Sequence, residues 1–180
     1  MKKEILLAGF GGQGIVLAAT ILGRAVAIHE GRHAVQIQSY GPEARGGACS
    51  ASVVLSDAPI DFPYVRHPDV LVLMSRAAAE KYGGMAGPRT VILFEEQLVP
   101  PPVPPADARP IPATRIAESL GSKMAANVVM LGFLAGQTDA VSAEALRKAV
   151  LEAVPAKFHG LNEKAFLAGM SHGRPAEVHP

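Results

Sequence analysis

Apolar positions along this chain recur with two spacings, and the order of those spacings predicts the elements. Residues 4–8 form a short apolar run with the length of a strand, and the stretch from Gln13 to about Ile28 sets Ile15, Ala18, Ala19, Leu22, Ala25 and Val26 on one helical face. His33–Gln38 reads as a second strand. Ala48–Ser56 reads as a third, because Cys49, Ala51, Val53 and Leu55 alternate there with small polar residues. Asp69–Met74 and Thr90–Phe94 are almost wholly apolar, the pattern of central strands covered on both faces. Between them Ser75 is placed to cap a short helix through Arg76, Ala79 and Tyr82, which Gly83-Gly84 closes.

Beyond Leu98 the run Val99-Pro100-Pro101-Pro102-Val103-Pro104-Pro105 excludes a helix or an interior strand, since proline fixes φ and lacks an N–H. An extended crossing is expected. The last third turns helical. Thr114 is expected to cap a helix through Leu120, a second helix spans about Lys123 to Gly136, and Ser142 with Glu144 opens a third over about Ala143 to Val154. Lys164–Gly169 reads as a last short helix. The expected class is therefore α/β: a three-layer, Rossmann-like, mainly parallel sheet with a mostly helical C-terminal third. Residues 1–170 form one domain and residues 171–180 a loose tail.

Composition narrows the function. At 180 residues and 49% hydrophobic content the chain has enough apolar surface for one core. A formal net charge of +1, with no window rich in Lys and Arg, argues against nucleic acid as a partner. The single cysteine, Cys49, excludes an intrachain disulfide and cannot hold an iron–sulfur cluster, which takes about four thiolates. Met1-Lys2-Lys3-Glu4 leads into a short strand rather than a membrane span of about 20 apolar residues, so no membrane association and a cytoplasmic location are expected. The six histidines, His29, His33 and His67 among them, lack metal-ligand spacing, and no metal site is assigned.

Two segments carry candidate chemistry. The first, Gly9-Phe10-Gly11-Gly12-Gln13-Gly14, lies between the first strand and the first helix, and Gly9, Gly11 and Gly14 match the G-x-G-x-x-G pattern. Such a loop turns sharply, offers backbone N–H groups and places a helix start beside them, which suits phosphate. The N–H groups of Gly11, Gly12 and Gln13 are the expected donors. Three readings stand. A dinucleotide site is disfavoured because the second strand ends in Ser39-Tyr40 rather than in an acid for the ribose hydroxyl; the glycines could serve helix–sheet packing alone; or they receive another phosphate-bearing ligand. A P-loop is excluded, because no Lys-Ser or Lys-Thr pair follows Gly14.

The second segment, Ser39-Tyr40-Gly41-Pro42-Glu43-Ala44-Arg45-Gly46-Gly47, crowds an aromatic and two charged groups into a turn-rich loop. Arg45 suits a phosphate or carboxylate, from a ligand or from a partner chain; a surface pair with Glu43 is the plain alternative. Both segments follow the C-terminal ends of strands, where open α/β sheets build ligand crevices, so they are expected on one rim of the sheet.

These two segments in this register, followed by Pro68-Asp69-Val70-Leu71-Val72, resemble the gamma subunit of the 2-oxoacid:ferredoxin oxidoreductases. The similarity continues through Ala113-Thr114-Arg115-Ile116-Ala117, Lys123-Met124-Ala125-Ala126-Asn127 with Leu131-Gly132, and Leu161-Asn162-Glu163-Lys164-Ala165-Phe166, covering about Glu4 to Gly169. Within the family the chain looks most like the 2-oxoglutarate type, with the pyruvate and branched-chain 2-oxoacid types next. Ser122 departs from the family's asparagine there, and Cys49 from its usual small residue or serine.

The resemblance implies a hetero-oligomeric enzyme that oxidatively decarboxylates a 2-oxoacid with coenzyme A to acyl-CoA, carbon dioxide and reduced ferredoxin. It further implies alpha, beta and ferredoxin-like delta partner subunits, with thiamine diphosphate, magnesium and iron–sulfur clusters on those partners and none of these on this chain alone. No residue here is expected to be catalytic. The gamma chain is expected to contribute to coenzyme A binding and active-site closure, through Gly9, Gly11, Gly12, Gln13 and Gly14 and through Tyr40, Gly41, Arg45, Gly46 and Gly47. Asn127 is expected either to fix a nearby loop through its amide or to cap a helix. A purely structural assembly subunit and a free-standing dinucleotide-binding dehydrogenase are the alternatives.

Overall fold

The computed structural model describes residues 1–39, 47–101 and 107–173. Six strands, β1 (Lys2–Phe10), β2 (His33–Gln38), β3 (Ala48–Ser56), β4 (Val70–Leu73), β5 (Val91–Glu95) and β6 (Asp107–Ile111), form one sheet in the order β2-β3-β1-β4-β5-β6. The β1–β4, β4–β5 and β5–β6 pairs are parallel, while β3 runs antiparallel to both β1 and β2. Two reversals cancel, so β2 runs in the same direction as β1. The sheet is mainly parallel, as expected, and strand β3 is its reversed member.

Strand alternation splits the core in two. Ile5, Leu7, Val70, Val72 and Leu93 face one side, with Ala51, Val53 and Leu55 of β3; Leu6, Ala8, Leu71, Leu73, Ile92 and Phe94 face the other. The first side is covered by α1 (Ile15–Arg24), α4 (Ala126–Gln137) and α5 (Ala143–Glu152). The second is covered by the short α2 (Arg76–Tyr82), whose Ala78 is buried there, giving three unequal layers. Ser75 caps α2 by accepting the N–H of Ala78 at 3.2 Å, and Ser142 caps α5 by accepting that of Ala145 at 3.2 Å, both as the sequence predicts.

The expected Thr114 cap is corrected. Helix α3 (Ala113–Ser119) begins after Pro112, and the N–H of Thr114 donates instead to the Glu95 carboxylate at 2.6 Å. Glu95 also accepts the N–H of Gln97 at 3.1 Å and is fully buried, so it joins the end of β5 to the start of α3. Helix α1 begins at Ile15 rather than Gln13 and widens into a π-helical turn over Ala25–His29. Strand β6 follows the proline-rich crossing, whose residues 102–106 lie outside the described ones. It is an edge strand, where Pro110 leaves no interior hydrogen bond unmade.

The last helix, α6 (His159–Ser171), is longer than the expected Lys164–Gly169 and lies against α4. Glycine makes that approach possible. A Cβ on Gly132 would sit 2.0 Å from the carbonyl oxygen of Phe166, and one on Gly169 would sit 1.9 Å from that of Val129. Residues 174–180 of the expected tail lie outside the described ones. Among the described residues no helix is long and apolar enough to cross a membrane.

Candidate functional site

The glycine loop leaves β1 at the exposed Phe10 and is held from inside by Gln13. The N–H of Gln13 donates to the Phe10 carbonyl at 3.2 Å, its side-chain oxygen accepts the Phe10 N–H at 2.9 Å, and its side-chain nitrogen donates to the Met74 carbonyl at 2.8 Å. Gln13 thus stitches the loop to the end of β4. The Gln13 N–H, expected to face a phosphate, is thus engaged in closing the turn. The N–H groups of Gly11 and Gly12 make no backbone hydrogen bond among the described residues, and Gly12 is exposed. Gly9 belongs to β1, paired with Cys49, and supports the loop from below.

Gly14 fixes the junction with α1. Its φ is +71°, a conformation that L side chains rarely adopt, and a Cβ there would lie 2.4 Å from the side-chain nitrogen of Asn127. The carbonyl of Gly14 accepts the N–H of Ala18 at 2.9 Å and the Asn127 amide at 3.3 Å. Of the two expected roles for Asn127, the structure shows loop fixation: the residue is buried, and its oxygen takes the N–H of Val128 at 2.9 Å. Among the described residues no side chain caps the start of α1, so the helix presents its first N–H groups beside Gly12 and Gly14.

The second segment connects β2 to β3 in the sequence. Ser39, at its start, donates its N–H to Ser50 at 3.0 Å, and Gly47, at its end, directly precedes Ala48, which pairs with Phe10. Tyr40, Gly41, Arg45 and Gly46 lie outside the described residues; Gly47 is described and half-buried. The parallel run of β1 and β2 therefore brings Ser39 and Gly47, the described ends of this segment, to the edge of the sheet where the glycine loop lies.

Beside the glycine loop opens a cleft of about 600 Å³, within the size range of small-molecule sites. Gly12, Gly14, Leu17, Met124, Asn127 and Phe158 are among the residues that line it, and among the described residues no charged side chain does. Leu17 is 44% exposed, Met124 79% and Phe158 43%. The cleft walls come from α1, the turn before α4 and the start of α6. Sequence reading could not assemble them, although Lys123-Met124-Ala125-Ala126-Asn127 and Leu161-Asn162 marked two of the walls.

Among the described residues no group of three or more His, Cys, Asp or Glu side chains converges. Cys49 is half-buried on β3, and burial pushes its thiol above the ordinary value, which disfavours the reactive thiolate.

Comparison with known proteins places this geometry. Residues 4–172 match the family described as pyruvate ferredoxin/flavodoxin oxidoreductase. The 2-oxoglutarate synthase subunit KorC of Methanocaldococcus jannaschii is 51% identical over 172 residues, which cover 93% of this chain and 90% of that protein. The crystal structure of the keto/oxoacid ferredoxin oxidoreductase gamma subunit from Geobacter sulfurreducens PCA superposes with a TM-score of 0.83 at 38% identity, covering 93% of this chain and 96% of that one. The same fold recurs, at 23% identity and a TM-score of 0.82 over 93% of this chain, within 30% of a chain of the Magnetococcus marinus 2-oxoglutarate:ferredoxin oxidoreductase, a structure with 2-oxoglutarate, coenzyme A and succinyl-CoA bound. The chain described here belongs to the pyruvate ferredoxin/flavodoxin oxidoreductase family, and its counterparts are subunits of 2-oxoacid:ferredoxin oxidoreductases.

Proposed function

We propose that this chain is the gamma-type subunit of a 2-oxoglutarate:ferredoxin oxidoreductase and that its glycine-loop rim helps to bind coenzyme A and close the active site. The complex converts a 2-oxoacid and coenzyme A to acyl-CoA, carbon dioxide and reduced ferredoxin. The observation that carries the reading is the 51% identity to a 2-oxoglutarate synthase subunit over almost the whole of both chains. Thiamine diphosphate, magnesium and iron–sulfur clusters belong, in this reading, to alpha, beta and delta partners.

Coenzyme A presents phosphates, an apolar-to-polar arm and a thiol. The N–H groups of Gly11 and Gly12 and the uncapped start of α1 suit a phosphate; the uncharged cleft beside them suits the less polar part. In this reading Arg45, which lies outside the described residues, is the cation that pairs with a phosphate. Titration of the assembled complex with coenzyme A tests this: Arg45→Ala weakens binding by about 1.5–3 kcal/mol, roughly ten- to hundredfold, with little change in decarboxylation of the 2-oxoacid. Unchanged affinity removes Arg45 from the ligand role. A second reading, assembly alone, is favoured by one observation, the exposure of Leu17, Met124 and Phe158 at the cleft mouth.

A further inference from the structure

The cleft beside the glycine loop holds a polar atom that the chain itself leaves unused. Asn162, in the first turns of α6, lines the cleft and is only 8% exposed. Its side-chain nitrogen donates to the carbonyl of Phe158, one turn earlier, at 2.9 Å. An amide nitrogen only donates and an amide oxygen only accepts, so the Phe158 carbonyl fixes which way round the Asn162 amide sits. Its Oδ1 is left on the cleft side, and among the described residues no donor meets it.

The other asparagine on the lining, Asn127, spends both ends of its amide, on the Gly14 carbonyl and on the N–H of Val128. Buried side-chain polar groups are normally paired, so a lone acceptor on an otherwise apolar wall points to a donor from outside. A flat ring that carries an N–H at its edge satisfies that acceptor, and Leu17, Met124 and Phe158 give the ring a surface to pack on. Lys157 Nζ lies 4.9 Å from the centroid of the Phe158 ring and pairs with no carboxylate among the described residues, which sets positive charge at the mouth. Glu163, the sequence neighbour of Asn162, is taken by Arg147. An adenine nucleotide answers each feature, with its N6 amino group, its planar base and its phosphates.

We propose that the cleft is the adenine subsite for coenzyme A and that Asn162 Oδ1 selects the base by accepting a hydrogen from its N6 amino group. The inference rests on the coenzyme A reading and adds the direction in which the molecule lies. A diphosphate at Gly11, Gly12 and the start of α1 adjoins the cleft, which Gly12 and Gly14 help to line. In that reading the reactive centre belongs to partner subunits, so the thiol end must leave this chain and the nucleotide end is the part the cleft keeps. A base with a carbonyl in place of the amino group sets two acceptors against each other, and the site rejects it.

The test compares the dissociation constants of coenzyme A and of 1,N6-ethenocoenzyme A, whose N6 carries no hydrogen, on the oxidoreductase assembled with its other subunits. Wild type binds coenzyme A about tenfold or more tightly than the etheno form. Asn162→Leu keeps the volume and removes the acceptor, so this preference disappears. The ratio of the two constants does not depend on how much of the enzyme is folded, so a loss of stability cannot imitate the result. Equal binding of the two compounds by wild type overturns the proposal, and so does a preference that Asn162→Leu leaves unchanged. Photolysis with 8-azidocoenzyme A gives a second arm on the unsubstituted enzyme: the label falls within residues 121–128 or 158–162, and labelling confined to other subunits overturns the proposal. An unlabelled cleft together with weakened coenzyme A binding in Arg45→Ala removes the adenine subsite alone. An unlabelled cleft with unchanged affinity in Arg45→Ala removes the coenzyme A reading as well.

Discussion

The side-chain amide of Asn127 donates to the carbonyl of Gly14 at 3.3 Å, joining the first turn of α4 to the glycine loop across 113 residues of sequence. Asn127→Asp exchanges that donor for an acceptor facing a carbonyl, so the loop loses its fixed path while volume is kept. The expected outcome is a KM for coenzyme A raised about tenfold in the assembled enzyme, or about 1–2 kcal/mol, with the KM for the 2-oxoacid unchanged. Equal rises in both constants would point to a general loss of assembly.

Gly132 and Gly169 set how closely α4 and α6 approach. Either one replaced by alanine must push a methyl group into a backbone carbonyl about 2 Å away, which the helices resolve only by moving apart. Gly132→Ala and Gly169→Ala are each expected to lower stability by about 2–4 kcal/mol in urea unfolding. A substitution tolerated within 0.5 kcal/mol would show that the two helices slide freely.

Glu95 accepts from Thr114 and Gln97 while fully buried. Glu95→Ala leaves both donors without a partner and is expected to cost about 2–4 kcal/mol, whereas Glu95→Gln keeps an acceptor and costs less. Denaturant melts of the two variants check the order. Alanine as stable as glutamine would mean that water reaches the site.

A hydrogen bond from Arg109 holds Asp107 below the usual carboxylate range, and Arg109 in turn donates to the Gln137 carbonyl at 2.7 Å, tying β6 to the end of α4. A carboxylate whose pKa falls on folding adds stability above its unfolded value of about 3.8, and that contribution disappears as pH drops through the folded value. Wild type is therefore expected to exceed Asp107→Asn in stability at pH 6 and to converge with it as the pH falls through the folded value, as read by melts across pH. A difference that stays constant with pH would exclude the pair as its source.

Much of the sheet and its chemistry was legible in the sequence because local signals agreed. Ile5-Leu6-Leu7 before the glycines, the helical face from Ile15 and the caps at Ser75 and Ser142 each specify a local geometry that packing did not override. What escaped depended on distant partners. Thr114 looks like a cap, but Glu95, 19 residues earlier, takes its N–H. Gln13 looks like a ligand donor, but the turn and Met74 use its hydrogen bonds. Strand β6 carries Asp107, Arg109 and Pro110 among five residues, too polar to show a strand pattern, and forms by pairing with β5. The reversal of β3 left no mark either, since alternation reports which face a side chain takes and not the direction of the strand.

The most direct test is the position of coenzyme A in a structure of the assembled enzyme. The account expects a phosphate of the bound coenzyme within hydrogen-bond distance of the Gly11 or Gly12 N–H and beside residues 39–47. Phosphates held wholly by other subunits, with the glycine rim of this chain turned away from the ligand, would contradict it.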